Sequence, residues 1–251
     1  MSVLKLPVQY YRFFPGDNPI GHTGKVLEID PSETVLLLID VYHAAETQAA
    51  KDLVNTSWDQ AWWDIVDNRL APVIRAARQA GLPVIYTTNS APRIEMKRSS
   101  FGFRLGESLG FDPEIDFRQP NVDPLEYNSG EPVQLFIPPQ IAPQPDDYYI
   151  RKHTYSGFYE TRLDSLLRSL GAKTLICAGF VADCCIFFTL GDAVFRGYHT
   201  VLLRDCTLAA ELPDEVATFQ QTQRILLWIE SIIGPTSTSS ELIRSLEASH
   251  G

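Results

Sequence analysis

The chain has 251 residues, 45% of them hydrophobic and 21% charged, with a formal net charge of −10. That length and apolar content suffice for one well-filled α/β domain. The acidic balance argues against nucleic acid or an anionic membrane as a partner, because both require clustered Lys and Arg. No apolar run reaches the roughly 20 residues that span a bilayer. The N-terminal stretch MSVLKLPVQYYRFF lacks the unbroken apolar run and cleavage site of a signal peptide, so a cytoplasmic location is expected. Cys177, Cys184, Cys185 and Cys206 are few for a disulfide scaffold, and neither they nor the five scattered histidines have zinc-ligand spacing. No metal and no cofactor is expected.

Residues 1–32, rich in Gly, Pro and polar side chains, read as an irregular N-terminal arm, with a single domain over residues 33–251. Thr34–Asp40 (TVLLLID) is a nearly all-apolar run ending in a carboxylate, the pattern of a central parallel strand buried on both faces. Apolar residues recur at helical spacing from Trp58 to Ala80, with Gly81 placed to end that helix before Pro83. Leu82–Thr88 reads as the second strand. Residues 91–147 carry many Pro, Gly and Asp and read as a long irregular insertion, either a lid over a site or a contact between subunits.

Regular alternation then resumes, with strands at 147–151, 173–178, 199–204 and 231–233. Helices are expected at 161–170, 183–196, 214–228 and 239–246. Strands alternating with helices predict a three-layer α-β-α domain around a central, mostly parallel, Rossmann-like sheet of about six strands. In such a sheet, ligands sit beyond the C-terminal ends of the strands.

That rule selects three chemical groups. Asp40 ends the first strand, Lys152 follows the strand YYIR, and Cys184 and Cys185 follow the strand TLICAG. Each alone has an ordinary reading: a turn-capping Asp, a solvated Lys, a small buried Cys. Together at one sheet edge they make a cysteine-hydrolase set. The carboxylate accepts the thiol proton, the ammonium favours the thiolate, and free N–H groups at a helix start face an oxyanion.

These segments resemble the isochorismatase-like cysteine hydrolase superfamily. Its motif, close to G-V-A-T-[ND]-x-C-V-x-x-T-x-x-D-A, is met in register by Gly179, Asp183, Cys185, Thr189, Asp192 and Ala193. The register makes Cys185 the nucleophile and puts Cys184 at a variable position. The resemblance implies a cis peptide at Phe180–Val181 and an oxyanion hole formed by the N–H groups of Val181 and Cys185. Arg151–Gly171 is similar to the K-x-R-Y-S-G-F-x-x-T-x-L-D-x-x-L-R segment of the ureidoacrylate amidohydrolase and biuret-hydrolase-like branch. The matches are Lys152, Tyr155, Ser156, Gly157, Phe158, Thr161, Leu163, Asp164, Leu167 and Arg168, and the tail IESIIG also fits. The sequence departs at Tyr42, where relatives carry Gln, at Ala182 for Thr, and at Gly191, often Arg. Nicotinamidases of the superfamily hold a metal with an Asp and two His after the second strand; here TTNSAPRIEM offers no histidine.

The expected activity is hydrolysis of a C–N bond in a small ureido or carbamoyl amide: ureidoacrylate, a biuret-like urea or an N-carbamoyl compound. The expected route is a covalent Cys185 acyl-enzyme with Asp40 and Lys152. A vinyl-ether hydrolase of the isochorismatase kind and a non-catalytic binding protein on the same fold are the alternatives. Substrate contacts are expected from Tyr42, Asn89, Tyr155 and Phe158, with His43 on the same loop as Tyr42. An anionic substrate would be met by Arg93, Arg98 or Arg104, a cationic one by Glu95 or Glu211. The resemblance also implies a homo-oligomer, a dimer or tetramer.

Overall fold

The run Thr34–Ile39 has no exposed side chain, which only the middle of a sheet covered on both faces can satisfy. The computed structural model of the protein describes residues 2–13, 20–43, 57–89, 137–152, 154–212 and 214–250. In chain order the strands are β1 (Leu4–Arg12), β2 (Gly21–Ile29), β3 (Thr34–Ile39), β4 (Val84–Asn89), β5 (Tyr148–Lys152), β6 (Thr174–Gly179), β7 (His199–Leu203) and β8 (Thr236–Ser237). The helices are α1 (Ser57–Ile65), α2 (Ala71–Gln79), α3 (Leu163–Ser169), α4 (Phe187–Phe195), α5 (Gln220–Ile232) and α6 (Ser239–His250).

The strands form one sheet in the order β2-β1-β8-β7-β6-β3-β4-β5. Every pair from β8 through β5 is parallel, while β1 runs antiparallel to both β2 and β8. Alternation along β3 divides the core. Leu36 and Leu38 join Trp62, Leu70, Ile74 and Leu242 on one face; Val35, Leu37 and Ile39 join Leu163, Leu167, Ile186, Leu190 and Ile229 on the other. Helices α1, α2 and α6 therefore cover the first face, and α3, α4 and α5 the second. The three-layer α/β class is as read from the sequence.

Four local expectations are corrected. The arm over residues 1–32 is a hairpin, paired from Leu4↔Ile29 to Arg12↔Gly21, and it raises the sheet from about six strands to eight among the described residues. Its signal was faint because only Leu4, Leu6 and Val8 alternate into the core, while β2 is a half-exposed edge strand. The helix expected over Trp58–Ala80 widens into a π-turn at Val66–Leu70. Pro72, in the first turn of α2, has no N–H to continue a regular ladder there. The expected strand at 231–233 is instead the end and exit of α5, and the short β8 follows it. Glu230 explains the shift. It is buried on α5 and accepts from Gln9 Nε2 at 2.7 Å, His22 Nε2 at 2.9 Å and Thr236 Oγ1 at 2.6 Å, tying hairpin, helix and β8 together. Finally, the helix expected from Asp183 begins with a π-turn, Ala182–Ile186, before α4.

Most of the insertion placed at 91–147 lies outside the described residues. Its last part docks on the domain: the Tyr86 hydroxyl donates to the Ile141 carbonyl at 2.7 Å, and Arg78 holds the Asp147 carboxylate at 2.5 Å.

Candidate active site

The chain leaves β3 for β4 and β5 on one side, then returns to β6 on the other. The C-terminal ends of β3 and β6 are thus the place where the strand order reverses, the point at which a sheet of this kind forms its ligand crevice. Asp40 is the first residue past β3. It has φ +50°, a left-handed conformation that Asp tolerates better than most residues. Its N–H still donates to Thr87 at 2.9 Å, so the side chain is placed by the sheet itself.

Across the crevice, Gly179 ends β6 with φ +126°. A Cβ there would lie 1.9 Å from the Ile39 carbonyl oxygen, so only glycine permits this approach. The next N–H, of Phe180, donates to that same carbonyl at 2.8 Å, and the Phe180–Val181 peptide is cis. On the other side the turn is laced to the segment after β7: Gly179 N–H donates to Cys206 at 3.0 Å, and Ala182 N–H to Leu208 at 2.7 Å. The N–H groups of Cys184 and Ile186 both donate to the Val181 carbonyl at 3.2 Å, which sets Cys185 between them at the start of the helix.

Lys152, at the end of β5, reaches past β4 into this crevice and is 0% exposed. Its ammonium lies 2.7 Å from Asp40 Oδ2, 3.4 Å from Cys185 Sγ and 3.1 Å from the Thr154 carbonyl. The three donors of an ammonium thus meet a carboxylate, a sulfur and a carbonyl. Burial pulls the Lys152 pKa down, but its contacts with Asp40 and Cys185 more than reverse that and raise it, so the ammonium is kept. The Cys185 thiol is shifted as well. The neighbouring Cys184 side chain, burial and the Asp40 charge push its pKa well up against the opposing pull of Lys152. The adjacent Asp40 carboxylate is the group placed to take the thiol proton.

The remaining motif residues fasten the Lys152 loop to the cysteine helix. Ser156 donates to the Asp192 carboxylate, Gly157 N–H to Thr189 Oγ1 at 2.9 Å, and Thr161 Oγ1 to the Gly157 carbonyl at 2.5 Å. A Cβ on Gly157 would press on Leu163 at 3.2 Å. The motif is a clasp between β5 and α4, and it sets the distance between ammonium and sulfur.

The other sequence-derived contacts separate. Tyr42 is half-buried just past Asp40. Asn89 stands in register with Lys152 at the end of β4. Tyr155 stacks on Phe188, with ring centroids 5.5 Å apart. Phe158 is buried and packs on Tyr198, beneath the Arg196 guanidinium at the far end of α4 from Cys185, so its ring serves the core. Glu211 accepts from the N–H groups of Gln221 and Thr222 and caps α5, so it is not a ligand for a cationic substrate. Arg93, Glu95, Arg98 and Arg104 lie outside the described residues. His43 is buried, 3.2 Å from Asp59 and edge-on to Trp62. That pairing spans 16 residues and has no sequence signature. Among the described residues no group of three or more His, Cys, Asp or Glu is placed to hold a metal ion.

Residues 34–232 match the isochorismatase domain family. Among curated proteins, the chain is similar to the ureidoacrylate amidohydrolase RutB of Methylobacterium radiotolerans, 29% identical over 77% of this chain and 80% of that one. It is also similar to the RutB of Methylorubrum extorquens, 26% identical over 92% and 96%. Among solved structures, a cysteine hydrolase from Pseudomonas syringae pv. phaseolicola superposes with a TM-score of 0.66 and 26% identity, covering 88% of this chain and 95% of that one. An N-carbamoylsarcosine amidase from Thermoplasma acidophilum shares the fold, with a TM-score of 0.51 and 22% identity, over 82% and 96%.

Proposed function

Since the chain belongs to the isochorismatase domain family, we propose that it is a cysteine amidohydrolase cleaving the C–N bond of a small ureido or carbamoyl substrate. The observation that carries this reading is the buried Lys152 ammonium bridging Asp40 at 2.7 Å and Cys185 at 3.4 Å. A structural lysine has no need of a thiol partner, whereas a nucleophile with an adjacent base and a fixed cation has the parts for acyl transfer. The names of the RutB relatives support a ureido substrate, with ureidoacrylate, biuret-like ureas and N-carbamoyl compounds as its range.

In this mechanism Asp40 accepts the Cys185 proton as sulfur attacks the carbonyl carbon. Lys152 balances the charge that develops on sulfur, and the N–H groups of Val181 and Cys185 receive the oxyanion. The C–N bond breaks, and the proton on Asp40 passes to the leaving nitrogen. Asp40 then takes a proton from water. The resulting hydroxide attacks the thioester-like carbonyl, and sulfur leaves to recover the proton.

The test is ammonia release from a panel of small ureas and amides by the wild type, Cys185→Ser and Cys184→Ser. Turnover by the wild type and Cys184→Ser but not Cys185→Ser is expected. Full turnover by Cys185→Ser would refute the assignment.

A further inference from the structure

Two exposed aromatic rings sit on the two segments that carry Cys185 and Lys152. Phe188 lies three residues beyond Cys185, about one turn along the helix, and is 49% exposed, while its neighbours Thr189 and Leu190 are buried. Tyr155 lies three residues beyond Lys152 and is 38% exposed. The Thr154 carbonyl touches the Lys152 ammonium at 3.1 Å, so Tyr155 starts one peptide away from the charged group.

The rings stack with centroids 5.5 Å apart and planes 16° from parallel. Phe187 supports Phe188 edge-on, with centroids 6.0 Å apart and planes at 90°. Helical side chains lean toward the N-terminus of their helix, so Phe188 covers surface over the turn that carries Cys184 and Cys185. The Ser156–Asp192 and Gly157–Thr189 hydrogen bonds hold the loop bearing one ring against the helix bearing the other. The result is a preorganised flat wall, one edge from the nucleophile's helix and one from the lysine's loop.

Resting on the amidohydrolase reading, we propose that Phe188, backed by Tyr155, is a specificity-determining residue that selects ureas whose nitrogen is conjugated to a planar carbon–carbon double bond. A flat conjugated group covers the exposed ring face by stacking. A puckered, saturated chain of the same length and charge does not.

The experiment compares 3-ureidoacrylate with its saturated analogue 3-ureidopropionate, using the wild type, Phe188→Leu and Phe188→Tyr. Leu keeps apolar bulk without a π face; Tyr keeps the face. Phe188→Leu should raise KM for 3-ureidoacrylate about fivefold, the scale of one aromatic stacking contact. The effect on 3-ureidopropionate should be smaller, the change should lie in KM rather than kcat, and Phe188→Tyr should restore the preference. A KM ratio between the two ureas that does not move in Phe188→Leu overturns the inference. So does a fall in solution mass accompanying the loss, which would mark Phe188 as a contact between copies. If the wild type releases ammonia from neither urea, the ureido reading falls and this inference with it; if it turns over both with an unmoved ratio, only this inference falls.

Discussion

Replacing Lys152 with Met asks whether Asp40, Lys152 and Cys185 behave as one electrostatic unit. The ammonium is fully buried, and its carboxylate partner is 5% exposed at 2.7 Å. Met fills most of the volume but removes the charge, leaving the Asp40 carboxylate buried without a cation. Breaking a buried pair in this way costs about 3–5 kcal/mol. In a domain of this size, each 1 kcal/mol moves Tm by about 2–4 °C, so a loss of about 10 °C is expected. Adding Asp40→Asn removes the stranded charge, and the double variant should recover most of the loss. Calorimetric melting of wild type, both single variants and the double variant closes the cycle. A Tm drop below about 3 °C for Lys152→Met, or losses that simply add in the double variant, would refute the argument for a coupled buried pair.

Three further perturbations follow from the same geometry. Cys185 and Lys152 both have raised pKa values in the folded protein, and burial pushes the Cys177 and Cys206 thiols up as well. The folded state therefore holds these protons more tightly than the unfolded chain. Their stabilisation is complete below the ordinary thiol value of about 8.5 and is lost as pH rises above it. Urea midpoints measured from neutral to alkaline pH should fall, and less steeply in Cys185→Ala; identical slopes would contradict the shift. Gly179→Ala, driving a methyl into the Ile39 carbonyl at a positive φ, should cost more than about 4 kcal/mol or prevent folding. Gly191→Ala in α4, where the added methyl meets nothing, should gain about 0.5–1 kcal/mol; the same sign for both in denaturant melts would refute the contrast. Glu230→Ala strands three donors from Gln9, His22 and Thr236 and should cost about 3 kcal/mol, with Glu230→Gln milder. Hydrogen exchange should accelerate in β1 in the Ala variant, and unchanged protection there would show that the hairpin docks without Glu230.

Much of the molecule was legible from residue order. The short apolar runs at Thr34–Ile39 and Thr174–Gly179, each followed by turn or cap residues, read as central strands, and in the structure every one of their residues but Thr174 is buried. Strand ends then located Asp40, Lys152 and the cysteine pair, since chain direction in a parallel sheet brings all C-terminal ends to one edge. Gly81, with positive φ after α2, also read correctly as a helix stop. Weakly patterned segments did not read. The hairpin of β1 and β2 pairs residues whose alternation is half polar, and Glu230 breaks the apolar pattern of α5 because its partners arrive from far along the chain.

The same division runs through the site. Residue order determined which groups reach the strand ends, because a strand's direction and its end are local properties of the chain. Tertiary structure alone decided their chemistry: that Lys152 crosses β4 to touch both Asp40 and Cys185, that Cys184, burial and Asp40 push the Cys185 thiol up, and that Phe158 packs in the core while Phe188 faces solvent. Each of these depends on distance, burial and the field of neighbouring charges, and those are set only when segments separated by more than a hundred residues pack against one another.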